Sequence, residues 1–141
     1  MFEQPYLIPI NEKEYYLAED FTYEWVFNGK NYKATVYKGF ITDGASVPKL
    51  FWSIIKPNGL WDAASLLHDF FYCFRGTPPR GCFQKMETSI DKPAQWVDCI
   101  YGLTREESDK LFLQVMTEAQ VSKSKRETMY KAVRMFGHFA W

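Results

Sequence analysis

His68 and Asp69 are adjacent ionisable residues in the segment Ala63-Ala64-Ser65-Leu66-Leu67-His68-Asp69-Phe70-Phe71-Tyr72, which is otherwise apolar on nearly every side. A helix of that composition is a central one. Burying an unpaired charge costs on the order of several kcal/mol or forces the group into its neutral form. Both residues therefore require partners or a ligand. At helical spacing Ser65, His68, Asp69 and Tyr72 fall three or four apart and share a face. That face carries a hydroxyl, an imidazole, a carboxylate and a phenol. An imidazole held by a carboxylate at one ring nitrogen can act as a general base with the other.

Two other stretches can meet this face. Thr42-Asp43-Gly44-Ala45-Ser46 reads as a strand-to-helix loop with a carboxylate beside a glycine. Hard cations such as calcium take oxygen ligands of this kind, a carboxylate with backbone carbonyls and water. Asp109 stands beside the apolar ridge of Leu111 and Phe112, where it can accept from one nitrogen of His68 and fix the tautomer. Plainer readings stand beside these. Asp43 or Ser46 can serve only to cap a following helix. A His68–Asp109 pair can be a buried structural hydrogen bond, and Asp109 can simply be solvated. Tyr72 can be a core aromatic with a satisfied hydroxyl. Lys123, Lys125 and Arg126 read as a solvated helix face, and His138 as an ordinary residue.

The elements that would position these groups give an α+β fold, with an N-terminal antiparallel hairpin or small sheet on three to four C-terminal helices. Phe21-Thr22-Tyr23-Glu24-Trp25-Val26-Phe27 alternates large aromatics with smaller or polar residues, the period of a half-buried strand. Asn28-Gly29 is a preferred tight-turn pair, and residues 31–37 return as a second strand. Leu7 to Ile10 can add an edge strand, since Pro9 cannot donate to a ladder. Ser46 and Pro48 open a short helix through Phe51, Trp52 and Ile55. The central helix runs from about Trp61 to Tyr72 or Phe74. Residues 75–102 show no sustained period and read as a long insertion loop. Thr104 and Glu107 form a capping box for the next helix. Ser122 caps a last helix through Met135 that Gly137 stops, ahead of the aromatic tail His138 to Trp141.

Composition narrows the classes. With 141 residues, 47% of them hydrophobic, the chain reads as a single domain, with a β region over 1–41, loop and central helices over 42–74, the insertion over 75–102 and two helices over 103–141. Seventeen basic residues balance seventeen acidic ones, so there is no long-range pull toward nucleic acid. Neutrality also favours self-association or membership of a larger assembly. Met1-Phe2-Glu3-Gln4-Pro5 lacks a basic region ahead of an apolar one, so no secretory signal is expected. No apolar run approaches the roughly 20 residues of a membrane-spanning helix. Cys73, Cys82 and Cys99 are odd in number and fit neither a disulfide framework nor a common zinc spacing.

Two resemblances follow from these strings. Ile41 to Pro48, Leu66 to Tyr72, Thr104 to Phe112, Tyr130 to Arg134 and the Gly137 to Trp141 tail together resemble a family of small phage and prophage proteins of unknown function. That likeness implies a protein made in the host cytoplasm and, in one reading, incorporated in the virion as a tail, neck or capsid accessory protein. Its partners would then be phage structural proteins or a second copy of itself. A further reading is a small factor that binds a host protein. More distantly, the order of the Asp43-Gly44-Ala45-Ser46 loop, His68-Asp69 with Tyr72, and a later aspartate is similar to the secreted phospholipase A2 pattern. By that likeness His68 would be the base, and Asp69, Asp43 and the Gly44 carbonyl would hold calcium. Asp109 would orient His68, Tyr72 would support Asp109, and the substrate would be a lipid or other ester or amide. In a hydrolase Phe51, Trp52, Phe70 and Phe71 can line an apolar substrate channel, and core packing explains them equally well. The pattern's disulfides have no counterpart here, and Ala45 stands where its loop carries Cys.

Overall fold

The computed structural model describes residues 2–43, 47–51 and 60–141. Its architecture is α+β, with antiparallel sheets in the N-terminal part and three α-helices among the described residues. β3 (Phe21–Phe27) and β4 (Lys30–Val36) form the expected hairpin in full register from Phe21↔Val36 to Phe27↔Lys30. Asn28 and Gly29 take φ of 51° and 76° at its turn. The alternation of β3 puts Phe21, Tyr23 and Trp25 inward. Trp25 lies parallel to Phe83 at 5.9 Å, and Phe71 meets Phe83 edge-on at 5.3 Å. The hairpin's aromatic face is thus core rather than free surface. Phe70 and Phe71 are likewise buried, Phe70 against Phe40 and Phe74, so packing accounts for two of the four residues expected to line a channel. Trp52 lies outside the described residues.

A second, three-stranded sheet has the order β1-β2-β5, with β1 (Leu7–Pro9) at its edge, as Pro9 requires. β2 (Tyr15–Leu17) is central and β5 (Ile41–Thr42) completes it, pairing Tyr16 with Ile41. β5 ends where the Asp43 loop begins. A single 3₁₀ turn spans Lys49–Phe51; the Ser46 cap and the remainder of the helix expected there lie outside the described residues.

Residues 75–102 are not a loop. They contain β6 (Phe83–Ser89) and β7 (Lys92–Asp98), an antiparallel hairpin that extends the first sheet to the order β3-β4-β6-β7. Both strands are mostly polar, and no two-residue period survives because little of either face is buried. Pairing with β4 imposes the strand state. The base of the excursion is pinched: Leu103 N–H donates to the Gly76 carbonyl at 2.8 Å, and Gly76 has φ +84°. A Cβ on Gly76 would overlap the Leu103 carbonyl, and one on Gly102 would overlap the Gly76 carbonyl.

The helices are α1 (Asp62–Cys73), α2 (Arg105–Glu118) and α3 (Lys123–Phe136). α1 packs on α2, and α2 on α3. The capping box is complete, with the Thr104 side chain accepting from Glu107 N–H and the Glu107 side chain accepting from Thr104 N–H. Two helix-end expectations change. Ser122 makes no side-chain capping bond among the described residues, and Gly137 sits at φ −64° rather than in a left-handed cap. It opens a 3₁₀ turn, and its value is steric, as the site below makes plain. Among the described residues no helix is long and apolar enough to cross a membrane.

The pinch predicts that Gly76→Ala costs at least about 2–3 kcal/mol, the backbone strain alone being of that order, with the overlap on the Leu103 carbonyl added to it. Urea denaturation of the variant against the parent checks this; an unchanged midpoint would contradict it.

Candidate active site

α1 carries His68 and Tyr72 one turn apart, so both side chains leave the same stripe of the helix. α2 carries Asp109 in its second turn, where the capping box sets the start of the helix. His68, Tyr72 and Asp109 are all buried, with Asp109 at 0% exposure. The structure brings the three together. His68 Nε2 lies 2.7 Å from Asp109 Oδ1, and the Tyr72 hydroxyl donates to the same oxygen at 2.6 Å. The imidazole ring sits between Tyr72 and Phe112, with ring centres 4.1 and 4.6 Å away.

Two arginines complete the shell, and neither was singled out from the sequence. Arg134 of α3 donates to Asp109 Oδ2 at 2.7 Å. Arg105, four residues before Asp109 on α2, places Nη1 3.6 Å from the same oxygen. It also donates to the Val133 and Arg134 carbonyls at 3.0 and 3.1 Å, tying the end of α3 to the start of α2. The i,i+4 spacing of Arg105 and Asp109 was a usable signal. Arg134 borders the buried stripe of Met129, Ala132 and Val133, which is weaker. Gly137 closes the shell: a Cβ there would lie 2.6 Å from the Tyr72 hydroxyl and 3.2 Å from Arg105 Nη1.

The electrostatics follow from the donors. Burial by itself pushes the Asp109 carboxyl upward, but the hydrogen bond and charge of His68, with the bonds from Tyr72 and Arg134, outweigh it and hold the group below the usual carboxylate value. Burial first, then the hydrogen bond to Asp109, raises the Tyr72 phenol well above its ordinary value, so it stays a donor. For Arg134 desolvation acts downward, but the bond to Asp109 prevails and raises it. An ionised Asp109 can only accept, so His68 Nε2 carries the proton in their bond. In the neutral ring Nδ1 then holds the lone pair.

Asp69 faces a different element. The Thr42 hydroxyl, at the end of β5, donates to Asp69 Oδ2, and both residues are buried. Thr42 is a third residue that the sequence did not single out. Asp43, next in the chain, is exposed and lies in the wall of an open groove of about 680 Å³ shared with Glu12, Lys13, Glu14 and Lys49. Gly44 lies outside the described residues. Thus α1 presents His68 and Tyr72 to α2 and Asp69 to β5. The donors beside Asp69 are oxygens of the class that hard cations take. Among the described residues no three His, Cys, Asp or Glu side chains converge at metal-binding range, so a cation here would also draw on backbone carbonyls or water. Ser65 is half-buried, and its backbone N–H continues the helix to Trp61. The cysteines are free thiols.

With this geometry in hand, one comparison speaks to kinship. The model of a protein family of unknown function, DUF1353, matches residues 15–133. The chain belongs to DUF1353. The matched span takes in the β2–β5 segments, all of α1 and α2 and most of α3, and so includes His68, Asp69, Tyr72 and Asp109 of this DUF1353 protein. No curated protein and no solved structure matches the chain.

Asp109 predicts a pH-dependent stability. Its folded value lies below its unfolded one, so its contribution is complete above about pH 4, the unfolded carboxylate range, and is lost as pH falls through the folded value. Asp109→Asn removes that contribution at neutral pH and leaves Arg134 facing an amide, at a cost of about 3–5 kcal/mol. Thermal melts across the acid range check both: the loss of stability below about pH 4 should be shallower in the variant than in the parent.

Proposed function

We propose that the protein is a metal-assisted hydrolase of an ester or amide bond, with His68 as the general base. The observation that supports this reading is the bond between His68 Nε2 and the buried Asp109 carboxylate, which in a neutral ring puts the proton on Nε2 and the lone pair on Nδ1. Asp109 is then the orienting group and Tyr72 its support. In the reaction Nδ1 would take a proton from water as the water oxygen attacks the carbonyl carbon. The same proton would pass to the departing alcohol or amine as the bond to carbon breaks. The positive imidazolium formed between these steps would be balanced by Asp109.

Asp69 and Asp43, with the Gly44 carbonyl, are the proposed calcium ligands, and bound calcium would polarise the substrate carbonyl and stabilise its developing negative charge. The Thr42 bond supports this role by holding the Asp69 carboxylate next to the Asp43 loop. The groove that Asp43 helps to line is the proposed side of substrate approach, though neither His68 nor Asp69 is among its described lining residues. The likeness to the phospholipase A2 pattern makes lipid esters the first class to test. The setting proposed is that of a phage or prophage product made in the host cytoplasm.

A second reading has its own observation. The His68, Tyr72 and Asp109 side chains are buried, and Asp109 Oδ2 faces two arginines. Such a network also suits a rigid accessory or assembly protein of a virion, joining three helices with no chemistry to perform.

Calorimetry with calcium separates the two. The hydrolase reading predicts saturable binding that is lost in Asp69→Asn and kept in His68→Gln, and ester hydrolysis lost in both. No binding at millimolar calcium would contradict the metal-assisted mechanism and favour the structural reading.

A further inference from the structure

Arg134 enters the candidate site from α3 and plays no part in the chemistry just described. A carboxylate is planar, so anchoring one oxygen fixes the direction of the other. Arg134 donates to Asp109 Oδ2 at 2.7 Å, while Oδ1 accepts from His68 and Tyr72 at 2.7 and 2.6 Å. Every donor on this carboxylate is therefore directional, and only Arg134 reaches Oδ2 at full hydrogen-bond distance among the described residues.

We propose that Arg134 is a positioning residue for His68: by holding Asp109 Oδ2 it keeps the carboxylate turned toward the imidazole, and so selects the tautomer with the proton on Nε2. Without Arg134 the Oδ2 atom has lost its close donor. The buried group can then rotate, or take a proton and donate to His68 in place of accepting from it. Either change releases Nε2 as the obligatory donor and admits the tautomer with the proton on Nδ1, which is no base at that nitrogen.

Arg105 supplies a natural contrast. It stands 3.6 Å from Oδ2, donates to the Val133 and Arg134 carbonyls and also reaches the Tyr72 hydroxyl. Its closest bonds fasten α3 to α2, so its hold on Oδ2 is weaker than that of Arg134. The end of α3 is held in register from the other side as well. Gly137 abuts the Tyr72 hydroxyl, and Trp141 meets the Tyr72 ring edge-on at 5.0 Å. The C-terminal segment thus serves the site through Arg134 and Tyr72. The consequence for catalysis rests on the hydrolase reading; the positioning itself is measured without substrate or metal.

The test is the imidazole ¹⁵N spectrum of the full chain at one fixed, mildly alkaline pH. His138, the second of two histidines, is exposed and is removed as His138→Gln to leave one ring to observe. The parent is expected to show the proton on Nε2, with the two nitrogen resonances widely separated. In Arg134→Gln their separation should shrink by roughly half or more as the second tautomer appears. Arg134→Lys, which keeps a donor near Oδ2, should show a smaller decrease. Arg105→Gln, which removes the more distant cation from Oδ2, should lower the melting temperature and shrink the separation less than Arg134→Gln does. If Arg134→Gln does not fold, the comparison of Arg134→Lys with the parent decides. A proton on Nδ1 in the parent would overturn the proposal, as would an unchanged separation with the proton still on Nε2 in the folded Arg134 variants.

Discussion

A fully buried carboxylate has no water to solvate it, and Asp109 meets that constraint entirely with protein donors. His68 and Tyr72 on α1 and Arg134 on α3 each supply one hydrogen bond to an atom of α2. Taking away any one of them leaves a charge incompletely compensated in a medium that penalises it. The relative placement of the three helices is therefore tied to one side chain. The apolar contacts around it, among them Phe112 against the imidazole, add burial without direction; the donors add direction.

The sheets serve this arrangement from outside. The inner faces of β3, β4 and β6 form an aromatic layer through Trp25, Tyr32 and Phe83, and α1 presses Phe71 against it. α1 is thereby fixed on one side by the sheet and on the other by Asp109. The small sheet fixes a third direction, because Thr42 at the end of β5 holds Asp69. Adjacent residues on one helix, His68 and Asp69, thus report to two different elements. This explains why an otherwise apolar helix tolerates two ionisable residues in succession.

Much of this was legible in the residues. The hairpin followed from the alternation in Phe21 to Phe27 and the Asn28-Gly29 turn, because one face of β3 is buried and the other is not. The start of α2 followed from the reciprocal capping of Thr104 and Glu107. Asp109 was recognisable as the partner of His68 because it is an acid beside an apolar ridge. The β6–β7 hairpin was not legible, since its strands bury too little to leave a period and are held by β4 and the Gly76 pinch. β2 and β5 are three and two residues long, too short for any pattern to mark them. Arg134 and Thr42 were missed for a related reason: each pairs with a residue at least 25 positions away, and nothing local distinguishes such a residue from a solvated one. The steric role of Gly137 was hidden too, because a glycine after a helix reads first as a left-handed cap.

The arrangement of the three helices depends on Asp109 being ionised inside the protein, and the most direct measurement is the ¹³C resonance of its side-chain carboxyl followed as the pH is lowered. With Asp109 held by three donors, this resonance is expected to keep its ionised position through the ordinary carboxylate range, near pH 4, and to change only as the protein unfolds. A carboxyl that takes up its proton at or above that range while the fold is intact would contradict it, and would leave His68 without a fixed tautomer.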